Sequence, residues 1–200
     1  MCIRDRSDSG KYHRHVILIT AFDDRIIADG AAGLCNVFYA ALMCAFDVIG
    51  KREECVRAKG YIGQKLAELL RKQGAAHALL DLGGNIVTLG GKSEDRPWRV
   101  GLQRPDQARN TYFAVVNAKD VSVITSGAYE RYFEKDGKRY GHILSARTGR
   151  PVLTDIASVS IVDANGAKAD AWCTALFAMG WDAATAYLSS HKDIRAVLMH

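Results

Sequence analysis

Apolar and polar positions follow readable periods through most of the chain, and the clearest lies beyond residue 56. In YIGQKLAELLRKQ (61–73), Ile62, Leu66, Leu69 and Leu70 share one face with polar residues opposite. That spacing predicts an amphipathic helix, and Gly74 is placed to end it. ALLDL (78–82) is an apolar run that predicts a buried strand. Gly83-Gly84-Asn85 turns the chain, and IVTLG (86–90) returns it. WRVGLQRP (98–105) alternates and stops at a proline; TYFAVVN (111–117) and VSVITSG (121–127) predict two more strands. Asp136-Gly137 predicts a hairpin turn, and IASVSIV (156–162) another strand. AKADAWCTALFAMG (167–180) predicts a helix with Ala171, Ala175, Leu176 and Met179 on one side and Gly180 as terminator. A short helix (182–190) and a strand (195–199) follow. Before residue 56 the pattern predicts a strand over 16–22 and a helix over 31–49. Many hairpin-linked strands with few helices predict an α+β fold of antiparallel strands and hairpins.

Composition changes this picture little. Of 200 residues, 48% are apolar and 24% charged, ordinary for one folded domain with a sizeable core. The net charge of +5 favours anionic partners, phosphates included. The basic residues are scattered with no tract interleaved with aromatics, so no nucleic-acid partner is expected. Five cysteines without a C-x-x-C pair suggest neither a zinc site nor a disulfide framework. The start is polar and charged, without a signal-peptide pattern. The apolar stretch 31–46 is short for a membrane span and contains Asn36, which favours a buried helix over an anchor.

Four stretches carry candidate chemistry. AKGY (58–61) opens a helix with a lysine, which suits either an anion held on backbone N–H groups or a solvated helix end. DLGGN (81–85) permits close ligand approach, or is a plain tight turn; it lacks the G-x-G-x-x-G spacing of a dinucleotide fingerprint. TSGAYER (125–131), the hairpin and GHILSARTGRP (141–151) hold more polar and glycine residues than turns alone need. Asp170 and Thr174, at i and i+4, place a carboxylate and a hydroxyl one turn apart on one helix face. Both are hard oxygen donors of the kind Mg²⁺ takes, although a carboxylate in a first turn also favours the helix dipole.

In this order AKGYIGQKLAELLRKQG, ALLDLGGNIVTLGGK, WRVGLQRP, SGAYERYFEKDGKRYGHIL, RTGRPV and KADAWCTALFAMG resemble the ApbE family, the FAD:protein FMN transferases. The resemblance runs from about residue 57 to the end. It implies an ApbE-like, T-fold-like α+β domain, here partial, that binds FAD and requires Mg²⁺. It implies transfer of the FMN part of FAD to a threonine or serine hydroxyl of an acceptor protein, releasing AMP. By position in the motifs, it implies that Ala58, Asp170 and Thr174 hold the metal. It places Lys59, Tyr61, Gly83, Gly84, Asn85, Ser126, Gly127, His142, Thr148 and Gly149 at the FAD, with His142 catalytic. The acceptor it implies is a redox or respiratory membrane protein, and the location the cell envelope.

The chain departs from the family where H-I-x-D-P-x-T-G is usual: Ser145 and Ala146 stand at the Asp and Pro positions. GKREECVR replaces the glycine-rich acidic approach to AKGY, and residues 1–56 match nothing in the family. The expectation is a fragment with a foreign or misread start, which also stops short at VLMH. Two further readings stay open: a catalytically impaired FAD-binding protein on the same scaffold, and an α+β interaction domain without a ligand.

Overall fold

The computed structural model describes residues 16–22, 25–29, 59–108, 110–127, 132–145 and 147–200. The helix expected over 31–49 lies outside these residues. In chain order the elements are β1 (Val16–Phe22), β2 (Arg25–Asp29), α1 (Lys59–Lys72), β3 (His77–Asp81), β4 (Ile86–Leu89), β5 (Trp98–Gln103), β6 (Tyr112–Ala118) and β7 (Ser122–Gly127). Then come β8 (Tyr132–Lys135), β9 (Lys138–Gly141), β10 (Ser158–Asp163), α2 (Gly166–Met179), α3 (Trp181–Ser190) and β11 (Arg195–Met199). Seven strands form one sheet in the order β11-β10-β7-β4-β3-β1-β2; β5–β6 and β8–β9 are separate ribbons. The fold is α+β and its pairing antiparallel, with one departure: β1 runs parallel to β3.

Strand alternation sorts the core into layers. On one face of the sheet, Ala78, Leu80, Val87 and Leu89 pack against Leu66, Ala67 and Leu70 of α1. On the same face, Ile124, Val159 and Ile161 pack against Ala169, Cys173, Leu176 and Phe177 of α2. Their neighbours Leu79, Ile86, Val123, Val162 and Val197 face the other way, onto Trp98, Val100, Leu102 and Ala118 of the β5–β6 ribbon. A period of two therefore builds a helix layer, a sheet and a covering ribbon from the same strands.

Local chemistry sets the boundaries. Gly74, at φ 87°, ends α1: its N–H bonds to Arg71 O at 3.1 Å and Ala75 N–H to Leu70 O at 3.0 Å. That pair of bonds is a Schellman cap, and it needs the left-handed conformation glycine adopts freely. Asp136 and Gly137, both at positive φ, form the two-residue turn between β8 and β9. β5 ends at Gln103 rather than at the proline, and its register with β6 shifts between Leu102 and Gln103. Among the described residues no helix is long and apolar enough to cross a membrane.

The residues grouped on one side of α2, Ala171, Ala175, Leu176 and Met179, do not together form its buried face. Ala169, Cys173, Leu176 and Phe177 are buried, whereas Ala171 and Met179 are exposed. The helix is apolar almost all round, so periodicity alone does not choose its face.

Cys173 sits under this helix, its thiol donating to Val159 O at 2.9 Å and Ile124 O at 3.3 Å. Burial pushes its pKa from the ordinary 9.0 up to about 12. The native state therefore keeps a proton that the unfolded state loses, so stability falls as pH rises from 9.0 through about 12. Cys173→Ala is expected to flatten that part of the stability–pH curve in urea unfolding; an unchanged slope counts against it.

Candidate functional site

The site is built where α1 crosses α2. A Cβ on Gly60 would run into the Gly166 carbonyl oxygen and come within 2.9 Å of Asp170 Cβ; a Cβ on Gly166 would meet the Gly60 carbonyl. Two glycines thus let the helices touch backbone to backbone. Gly60 N–H donates to Asp170 Oδ2 at 3.0 Å. Burial raises the Asp170 carboxyl above the ordinary carboxylate range, and the Gly60 N–H and the Lys59 charge pull it only part of the way back. One turn later, Thr174 Oγ1 donates to the Asp170 carbonyl at 3.2 Å, leaving its lone pairs free of that bond.

A cleft of about 640 Å³ opens beside this crossing, lined by Tyr61, Ile143, Leu144, Ser145, Val152, Asp170, Thr174 and the alanines 167, 171, 175 and 178. The alanines form a stripe along α2 that keeps its wall shallow. The facing wall is a narrow ladder in which Val152 N bonds to Ile143 O and Ser145 N to Arg150 O, with Leu144 bridging Pro151. Ile143 is buried against α2 and anchors that wall.

Of the residues the sequence singled out, Tyr61, Asp170 and Thr174 line the cleft together. Lys59 joins them from α1: its Nζ lies 3.4 Å from where a Cβ on Gly83 would sit, so it bridges the glycine turn and the Asp170 side of the site. Gly83 (φ 67°) and Gly84 (φ 86°) are both left-handed, Asp81 Oδ1 accepts from Gly84 N at 2.9 Å, and Leu82 N bonds to Asn85 O at 3.0 Å. Asn85 is buried beneath that turn. His142 is exposed one residue before the lining segment. Thr148 and Gly149 lie at the exposed tip of the ladder, away from the lining; Gly149 N bonds to Ser145 O at 2.8 Å. Ser126 lies in β7 paired with Val159, and its polar groups face the Cys173 thiol; Gly127 ends that strand. Ala58 lies outside the described residues. Sequence reasoning missed Gly60, Gln64 and Gly166 at the crossing. It grouped Ala171 and Ala175 with Leu176 and Met179 on one side of the helix, although their recurrence with Ala167 and Ala178 is itself the signal of a small-residue wall.

Fold and site together define an α+β domain that presents a half-buried carboxylate, a hydroxyl and a lysine beside an open, alanine-walled cleft. The chain belongs to the ApbE family, whose profile matches residues 56–198. It is 39% identical over 142 residues to an FAD:protein FMN transferase of Klebsiella pneumoniae, covering 71% of this chain and 43% of that one. An FAD:protein FMN transferase of Treponema pallidum is 41% identical over 150 residues, covering 71% and 41%. Among solved structures, the ApbE protein of Thermotoga maritima superposes with a TM-score of 0.64 at 32% identity, covering 70% of this chain and 46% of that one. The flavin transferase ApbE of Vibrio cholerae gives 0.60 at 31%, covering 70% and 44%. The chain therefore spans under half the length of these relatives.

Proposed function

We propose that this domain transfers the FMN part of FAD, with Mg²⁺, to a threonine or serine hydroxyl of an acceptor protein, releasing AMP. The observation that carries the reading is Asp170. Its carboxylate is desolvated, held by one backbone N–H, and placed one turn from the Thr174 hydroxyl on a cleft wall. A partly desolvated anion beside a second oxygen donor suits a hard cation. Among the described residues no three His, Cys, Asp or Glu side chains cluster. The donor set thus fits Mg²⁺, which takes one or two protein oxygens and completes its shell with water and phosphate oxygens, better than a metal needing an all-protein cage. Asp170 and Thr174 would hold it, with Ala58 as the third contributor that the family resemblance implies. When bound, Mg²⁺ supplies positive charge against the phosphoryl oxygens.

The chain's own residues divide the remaining work. Lys59, over the Gly83 turn, offers a second positive charge to the pyrophosphate. The alanine stripe and Tyr61 leave room for a flat ring. His142 takes the proton of the acceptor hydroxyl as that oxygen attacks phosphorus, and the P–O bond to AMP breaks. His142→Gln is expected to keep FAD affinity while transfer falls about a hundredfold or more. Undiminished transfer in that variant removes histidine from the chemistry.

The direct test incubates the 200-residue chain with FAD, Mg²⁺ and a threonine-bearing acceptor peptide. Covalent flavin fluorescence on the peptide, with AMP released, supports transfer. FAD binding without transfer supports the second reading, an impaired FAD-binding protein; Ser145 favours it by lining the cleft with a hydroxyl where the family usually has a carboxylate. The acceptor class, a redox or respiratory membrane protein, and a cell-envelope location belong to the same proposal.

A further inference from the structure

Gln64 takes no part in the chemistry proposed above, yet it is bonded into the same crossing. Its Oε1 accepts from Gly166 N at 3.0 Å, across 102 positions of chain. In the opposite direction, Asp170 Oδ2 accepts from Gly60 N at 3.0 Å, across 110. Each helix therefore caps an N–H in the first turn of the other. The Gly166 N–H is one of the donors that a helix start leaves without an internal partner. Asn165 serves another of them, Lys168 N, at 2.8 Å, and does not reach this one.

The orientation of the Gln64 amide is fixed from its far side. Its Nε2 donates to Glu68 Oε1 at 3.1 Å, and Lys65 Nζ holds Glu68 Oε2 at 2.8 Å. With the NH₂ end committed to a carboxylate, the oxygen end faces Gly166. Between the two caps, Gly60 and Gly166 meet backbone to backbone with no side chain to act as a spacer. Moving α2 away from α1 lengthens both caps.

We propose that Gln64 is a positioning residue: by tying the first turn of α2 to α1, it sets where the Asp170 carboxylate stands in the cleft. It is not among the residues that line the cleft. This rests on the reading of Asp170 as a cation ligand, so the test separates the two.

Mn²⁺ is titrated by electron paramagnetic resonance into the 200-residue chain saturated with FAD, and thermal midpoints are taken without cation. Parent, Gln64→Leu, Gln64→Glu and Asp170→Asn are compared. Gln64→Leu is expected to weaken Mn²⁺ binding about tenfold, the range for loss of a group that orients a metal ligand. Gln64→Glu, which keeps an acceptor oxygen but loses the Nε2 donor to Glu68, is expected to recover only part of it. In the Asp170→Asn background, Gln64→Leu is expected to add no further loss, because both changes act through one carboxylate. Parent-like Mn²⁺ affinity in Gln64→Leu, whatever its melting temperature, overturns the positioning role alone. Parent-like affinity in Asp170→Asn overturns the cation reading and the positioning role with it. If Gln64→Leu does not fold, Glu68→Ala releases the amide instead of removing it. A rise of about threefold in the Mn²⁺ dissociation constant is then expected, and no change overturns the role.

Discussion

Asp170→Ala is expected to abolish Mg²⁺-dependent FMN transfer, with a loss of about a hundredfold or more at saturating Mg²⁺. The carboxylate is the acidic group among the cleft-lining residues, and burial already disfavours its charge. A cation bound beside it would offset that cost and would oppose charge growing on phosphoryl oxygens. Removing the carboxylate takes away both effects. It also leaves the Gly60 N–H without its acceptor, so alanine carries a structural cost besides the chemical one. Asp170→Asn separates the two, since its amide oxygen still accepts from Gly60 while its charge is gone. Loss of transfer in both variants, with near-parent melting in Asp170→Asn, assigns the effect to the charge. Transfer within a few-fold of the parent in Asp170→Asn removes the metal assignment.

Gly60→Ala is expected to cost about 3 kcal/mol of stability, read in urea unfolding. The added Cβ meets a backbone carbonyl of α2, not the end of a flexible side chain, so no rotamer change relieves it. α1 must move off α2, which weakens the caps at Gly60 and Gly166 together. Gly74→Ala is the control: nothing lies within 4 Å of its Cβ, so only the left-handed backbone resists, at about 1 kcal/mol. Equal losses in the two variants contradict the close crossing. Against a net stability on the order of 10 kcal/mol, the Gly60 change leaves a folded but loosened site.

Much of the architecture was legible because its rules are local. The Asp136-Gly137 turn, the Gly74 cap and the Leu66/Leu70 face each depend on residues within one or two turns of chain. Strand alternation at Leu79–Leu80 or Val123–Ile124 tells which residues face opposite ways, and the packing bears it out. Among the site residues, Asp170 and Thr174 were legible as an i, i+4 pair, and the cleft receives both.

The rest was decided by contacts between distant segments. The face α2 buries could not be read from a helix apolar on every side; the sheet under it chose Cys173 and Phe177 and left the alanines to the cleft. Gly60 and Gly166 look like ordinary glycines until two helix starts, more than a hundred residues apart, meet there. Gln64 and Asp170 become caps only across that contact. The sequence by itself determined the elements, their ends and the α+β class, because hydrophobic period, capping and turn chemistry act over a few residues. Only the tertiary structure decided which carboxylate is desolvated, which N–H holds it and which residues line the cleft, because those depend on distances that no local period encodes.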